Sequence, residues 1–199
     1  MTLDQFRPLA NRLLDPWVRA AKTVGATPNT VSVAAFGLAV VAAGAFYVGT
    51  PAAYAVGAVC VFFNGWLDLL DGALAREVGT ASEAGDLLDH VLDRYADVVV
   101  VTGAAAGVDA FGLGLAAVTG VLLTSYLGTQ AQAVGLDRVY GGLLGRADRL
   151  ALVGVTAGVA AITPTVAGYS PVVALLVVFA VVGHLTAIQR FVSAWRQLA

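Results

Sequence analysis

Apolar residues fill six long stretches of the chain, and polar residues collect in the short segments between them. The stretches cover residues 30–49, 53–75, 86–107, 111–133, 149–167 and 171–193. Each lies in the range of roughly 17–25 residues that an α-helix needs to cross a hydrocarbon core. Most have no polar stripe of the kind a water-facing helix carries. The pattern therefore predicts helices that meet lipid on their outer faces. Residues before the first stretch follow a different rule. Phe6, Leu9, Leu13, Trp17 and Val24 recur near helical spacing, with Arg7, Arg12, Arg19 and Lys22 among them. This predicts an amphipathic helix in the membrane interface, bent at Pro16. Its apolar residues are periodic rather than continuous, so it is not read as a cleavable signal peptide. Thr27-Pro28-Asn29 then breaks the helix and leads into the first span.

The expected fold is an all-α polytopic membrane protein. One domain occupies residues 1–199, with the interfacial helix and its connection at 1–27 and a six-helix transmembrane bundle at 28–199. Composition agrees. Charged residues make up 12% of the chain, against about 25% in ordinary soluble domains, which is too little to coat a soluble surface. The single cysteine, Cys60, lies in an apolar run and cannot form an internal disulfide. Nothing in the charge pattern points to nucleic acid.

The eleven basic residues set a topology. Four precede residue 23, Arg76 and Arg94 flank the connection between spans two and three, and Arg138, Arg146 and Arg149 flank that between spans four and five. Arg190 and Arg196 lie at the C-terminal end, and the opposite connections near residues 50, 109 and 168 hold none. The positive-inside rule then puts both termini on the cytoplasmic side of the cell membrane.

Chemistry concentrates between spans two and three, in Asp68-x2-Asp71-Gly72-x2-Ala75-Arg76-x8-Gly85-x3-Asp89-x3-Asp93. Asp68 and Asp71 share one helix face, and Asp89 and Asp93 share a face of the next helix. Gly85 is expected to open that helix. A short antiparallel connection brings the four carboxylates together near the membrane surface. Each Asp at membrane depth costs about 2.5–3.5 kcal/mol, and the four repel one another. A hard divalent cation relieves both problems, and Mg²⁺ combines carboxylates with substrate phosphates. A phosphate-bearing substrate follows from the ligand type, with room for it beside the small residues. Asp86 or Asp97 alone is better read as a solvated helix-end carboxylate. Asp97, one turn beyond Asp93, is expected either in a supporting position or paired with water on the Arg94 side.

A divalent-cation transporter would also place carboxylates in the membrane. It would continue them outward, whereas the outer halves of these spans are almost purely apolar, with Asp109 beyond. That favours an enzyme.

The acidic stretch resembles the signature of the CDP-alcohol phosphotransferase family in every element and spacing. The N-terminal helix, Thr27-Pro28-Asn29 and the six spans are also similar to that family's layout. The resemblance implies attack of an acceptor hydroxyl on the lipid-side phosphorus of a CDP-linked lipid, with release of CMP. It implies Asp68, Asp71 and Asp89 as ligands of a pair of Mg²⁺ or Mn²⁺ ions. Asp93 becomes a further ligand or the general base. Asn29, Gly72, Ala75, Arg76 and Gly85 become the CDP-lipid site, and the active form a homodimer.

For the acceptor, Arg138, Arg146, Arg149 and Arg190 lie on the same side of the membrane as the acidic stretch, and guanidinium groups bind phosphate bidentately. Arg146 and Arg149, three apart, make the best pair for an anion pocket. The words Ser125-Tyr126, "QAVG" and "GRADRL" resemble the inositol-phosphate branch of the family. Bacterial members usually carry basic residues after "SY", whereas "LGTQAQ" is uncharged here, so the resemblance leans to the archaeal type. The expected reaction joins the lipid phosphate of CDP-archaeol or CDP-diacylglycerol to inositol 1-phosphate. Glycerol 3-phosphate and serine are the alternative acceptors.

Overall fold

The computed structural model describes residues 7–137 and 141–198, with side chains from residue 13 onward. Seven helices occupy the described residues: α1 (Arg7–Thr23), α2 (Pro28–Val48), α3 (Pro51–Val78), α4 (Glu83–Gly107), α5 (Phe111–Ala133), α6 (Arg146–Ile162) and α7 (Pro171–Leu198). There is no strand among them, only an isolated bridge between Val166 and Tyr169. The all-α expectation holds.

Local sequence explains where the helices begin and end. Thr27 and Thr50 each cap a helix by accepting a hydrogen bond from the backbone N–H three residues on, at Thr30 and Ala53. Pro28 and Pro51 follow them, where a missing N–H costs nothing. Gly49 and Gly79 close α2 and α3 in the left-handed conformation, at φ 67° and 65°. Four residues separate α3 from α4, so the acidic ends of these two helices stay side by side.

α2 packs against α3 and α4, α5 packs against α7, and α6 lies on α3. Small residues set the closest crossings. A methyl group on Gly183 of α7 would stand 2.9 Å from the Gly120 carbonyl carbon of α5, so these backbones approach as they do only where glycine faces glycine. Ala39, Ala42, Phe46, Val100, Ala104, Leu176 and Phe179 belong to the buried core.

The outer surface is apolar. Val33, Val40, Phe62, Leu115, Val155, Val181 and Ile188 are all exposed, a pattern that marks a lipid-facing surface. By length and composition, α2, α3, α5 and α7 qualify as membrane spans. α4 carries Asp86, Asp89, Asp93, Arg94 and Asp97 between its first turn and its middle, and α6 has 17 residues.

Two expectations are corrected, and one is extended. α6 ends at Ile162 rather than 167, because Pro164 cannot continue the helix and Val166–Tyr169 form a tight turn with Ala167 at φ 53°. α4 starts at Glu83, two residues before Gly85, whose N–H instead reaches the capping Ser82 hydroxyl. The inward face of α1 is Leu14, Val18 and Ala21, packed with Leu70 and Leu74 of α3. Leu13, Trp17 and Val24 are exposed; Phe6 and the Leu9 side chain fall outside the described residues. α1 thus has one stripe for the bundle and another turned outward, and it runs on through Pro16.

Candidate active site

Asp68 leaves the cytoplasm-assigned end of α3 and meets Asp89 and Asp93, which stack one turn apart on α4. One carboxylate oxygen of each lies within 4.8 Å of the others. All three side chains are half-buried. Asp71, a turn beyond Asp68, is more deeply buried and stands outside this group of three. Its Oδ2 accepts a hydrogen bond from the Ser32 hydroxyl of α2 at 2.6 Å. The four acidic residues therefore divide into a three-carboxylate cluster and a neighbour tied to α2.

Arg146, the first residue of α6, lies across the cluster. Its guanidinium contacts Asp68 Oδ2 at 2.6 Å and Asp93 Oδ1 at 2.5 Å. A positive group already bridges two of the three carboxylates, which is the electrostatic position a bound cation would take. Oxygen donors from two helices, close enough to share one ion, suit a hard divalent metal. The residues present thus fit such an ion.

The remaining arginines do not form the expected joint anion pocket with it. Arg149 is buried, and its Nη2 donates to Asp97 at 2.9 Å and to the Ser125 hydroxyl at 3.4 Å. Arg190 of α7 donates to the carbonyls of Gly141 at 2.8 Å and Thr124 at 2.7 Å. Arg138 lies outside the described residues. Three residues along a helix, Arg146 and Arg149 share a face, but α4 offers a separate carboxylate to each. Asp97 is accordingly no solvated helix-end group: it is buried, with Arg94 Nε 3.6 Å away on its other side.

The candidate CDP-lipid residues form two neighbouring pairs. A methyl group on Gly85 would come within 3.5 Å of Asn29 Oδ1, which brings the start of α2 to the start of α4. One on Gly72 would meet Arg76 Nη1 at 3.4 Å. Arg76 is exposed and Ala75 half-buried. Ser32 and Asn64 are polar residues that sequence reasoning passed over, and Ser125, singled out only as part of a resemblance, accepts from Arg149. Asn64 sits one turn before Asp68 and donates from Nδ2 to the Ala35 carbonyl of α2 at 2.8 Å. Its helical spacing from Asp68, like that of Ser32 from Asn29, was a readable signal. His184 behaves as a satisfied bundle histidine, with Nε2 3.2 Å from the Ala116 carbonyl. His90 Nδ1 lies 2.8 Å from the Asp86 carbonyl, away from the cluster.

The profile of the CDP-alcohol phosphatidyltransferase family matches residues 25–195. The chain belongs to that family. It is a membrane phosphotransferase of phospholipid biosynthesis. Archaetidylinositol phosphate synthase of Methanothermobacter thermautotrophicus is 29% identical over 201 residues, covering 98% of this chain and 95% of that one. Phosphatidylinositol phosphate synthase of Mycolicibacterium smegmatis is 36% identical over 154 residues, or 74% of this chain and 68% of that one. The crystal structure of Mycobacterium tuberculosis phosphatidylinositol phosphate synthase with CDP-DAG bound superposes with a TM-score of 0.80 at 30% identity, over 92% of this chain and 94% of that one. A second structure of that enzyme, in complex with manganese and citrate, gives 0.79 at 29% identity over 92% and 88%. The CDP-alcohol phosphatidyltransferase matched here therefore shares its fold with a metal-bound and a lipid-bound relative.

Proposed function

We propose that this phosphotransferase moves a lipid phosphate from CDP-archaeol or CDP-diacylglycerol to a hydroxyl of inositol 1-phosphate and releases CMP. The observation that carries the reading is the convergence of Asp68, Asp89 and Asp93 beneath the basic start of α6. The names of the relatives support the acceptor, since they span both archaeal and bacterial inositol-phosphate enzymes.

In this reading Asp68, Asp71, Asp89 and Asp93 hold one or two Mg²⁺ or Mn²⁺ ions. When bound, the metal neutralises charge on the diphosphate and on the departing CMP. The chain's own residues supply position and proton transfer. Asn29 and Gly85 line one end of the nucleotide site, and Gly72, Ala75 and Arg76 the other, with glycine leaving space for the ligand. Asp93 accepts the proton of the attacking hydroxyl, whose oxygen bonds to the lipid-bearing phosphorus as the bond to CMP breaks. Arg146 would hold the acceptor phosphate, with Arg138, Arg149 and Arg190 contributing the surrounding positive field.

The reading extends to the whole chain. α4 and α6 cross the bilayer together with the four apolar helices, both termini and the acidic site face the cytoplasm, and residues 1–199 act as one domain within a homodimer. Lipid tails then stay in the bilayer while the headgroup reaches the water-facing ends of α3 and α4.

Purified protein in detergent, given Mg²⁺ and either CDP-lipid, tests this. CMP release should require inositol 1-phosphate and should be lacking with glycerol 3-phosphate or serine. Release with only one of the latter would move the acceptor, and none with any pairing would overturn the reading.

A further inference from the structure

Six charges alternate in sign through the site: Asp68, Arg146, Asp93, Arg94, Asp97 and Arg149. The links are 2.6 Å and 2.5 Å on the two sides of Arg146, 3.6 Å from Asp93 to Arg94, 3.6 Å from Arg94 to Asp97 and 2.9 Å from Asp97 to Arg149. Asp97 is the one carboxylate of this series outside the candidate ligands, and it is 8% exposed. Its Oδ2 alone faces two arginines, from α4 and from α6. The Nε atoms of Arg94 and Arg149 are buried without a hydrogen-bond partner among the described residues. Neither guanidinium is saturated, so each would take another carboxylate if Asp97 were lost. For Arg94 that carboxylate is Asp93, already 3.6 Å from its Nη2.

We infer that Asp97 is a positioning residue that retains Arg94 and Arg149, and thereby keeps Asp93 available to the catalytic cation. It touches neither substrate nor metal. Without its charge, Arg94 is left to compete with the cation for Asp93, and one negative charge is lost from the neighbourhood while Arg149 stays. Both effects weaken cation binding. Ser125 gives Arg149 a second, neutral anchor on α5, so the arrangement also fixes the rotation of α6 that brings Arg146 over the cluster.

The inference rests on the metal reading above, and one titration separates the two. Mn²⁺ binding to the purified full chain is measured by the electron paramagnetic resonance signal of the free ion, with no substrate present. Wild type that binds no Mn²⁺ at this site would remove the metal reading itself. Given wild-type binding, Asp97→Asn should raise the Mn²⁺ dissociation constant about tenfold, the scale of one unit charge acting at short range in a partly buried site. Adding Arg94→Gln should bring it back to near wild type. Unchanged affinity in Asp97→Asn, or no recovery in the double variant, would overturn the inference. If Asp97→Asn fails to fold, Arg149→Gln carries the test. It leaves Asp97 wholly to Arg94 and should tighten Mn²⁺ binding; weaker binding would overturn the inference. A role in stability alone would lower the melting temperature and leave the affinity of the folded protein unmoved.

Discussion

At the residue scale, the site is governed by how few positive groups share many negative ones. Arg146 spans Asp68 and Asp93. Arg146→Ala removes both the proposed phosphate contact and a competitor for the carboxylates. It should raise the acceptor KM about tenfold, as expected for lost charge-assisted hydrogen bonds, while tightening Mn²⁺ binding. An acceptor KM equal to wild type would take Arg146 out of the acceptor site. Asp89→Asn removes a proposed metal ligand that makes no ion pair with an arginine among the described residues. It should lower CMP release roughly a hundredfold or more and weaken Mn²⁺ binding; steady-state CMP assays at saturating acceptor check the first effect. Ser32 acts differently. Its hydroxyl is the hydrogen-bond donor to the buried Asp71 carboxylate. Ser32→Ala should cost about 1–3 kcal/mol of stability, read as a lower Tm in detergent, and should reduce activity through a loosened Asp71.

At the element scale, helices were easier to read than their faces. Long apolar runs made α2, α3, α5 and α7 plain, since lipid imposes no period that a soluble core would. The bundle-facing side of α1 was not legible because Leu13 and Leu14, or Trp17 and Val18, are neighbours, and either stripe has helical spacing. Only packing on Leu70 and Leu74 selects Leu14 and Val18. The acidic residues were legible because their spacing is rigid on a helix. The fates of Arg149 and Asp97 were not, because a pairing between residues 52 apart depends on how α4 and α6 meet. Crossings of this kind depend on small residues. Gly183→Val would force a side chain into the backbone of α5 at Gly120. It should destabilise the α5–α7 pair by about 1–3 kcal/mol, and thermal unfolding in detergent should show it, with Gly158→Ala, in open space on α6, as the unperturbed control.

At the scale of the whole molecule, orientation follows from charge. The α3–α4 connection and the start of α6 lie at one end of the bundle, and the turn at Val166–Tyr169 lies at the other end of α6. In a Cys60→Ser background, Thr165→Cys should react with a membrane-impermeant maleimide added to intact cells, and Thr80→Cys only after permeabilisation. The reverse labelling would invert the proposed topology. The order of residues along the chain also divides the helices into an earlier and a later group, joined in the fold by α6 lying on α3. α2, α3 and α4 carry the acidic cluster and Asn29, whereas α5, α6 and α7 carry Arg149, Arg190 and the uncharged stretch after Tyr126. On the proposed reading, cleavage of the nucleotide diphosphate bears on the first group and recognition of the alcohol on the second. The product headgroup would then change through substitutions on the later helices alone, with the cleaving residues left in place.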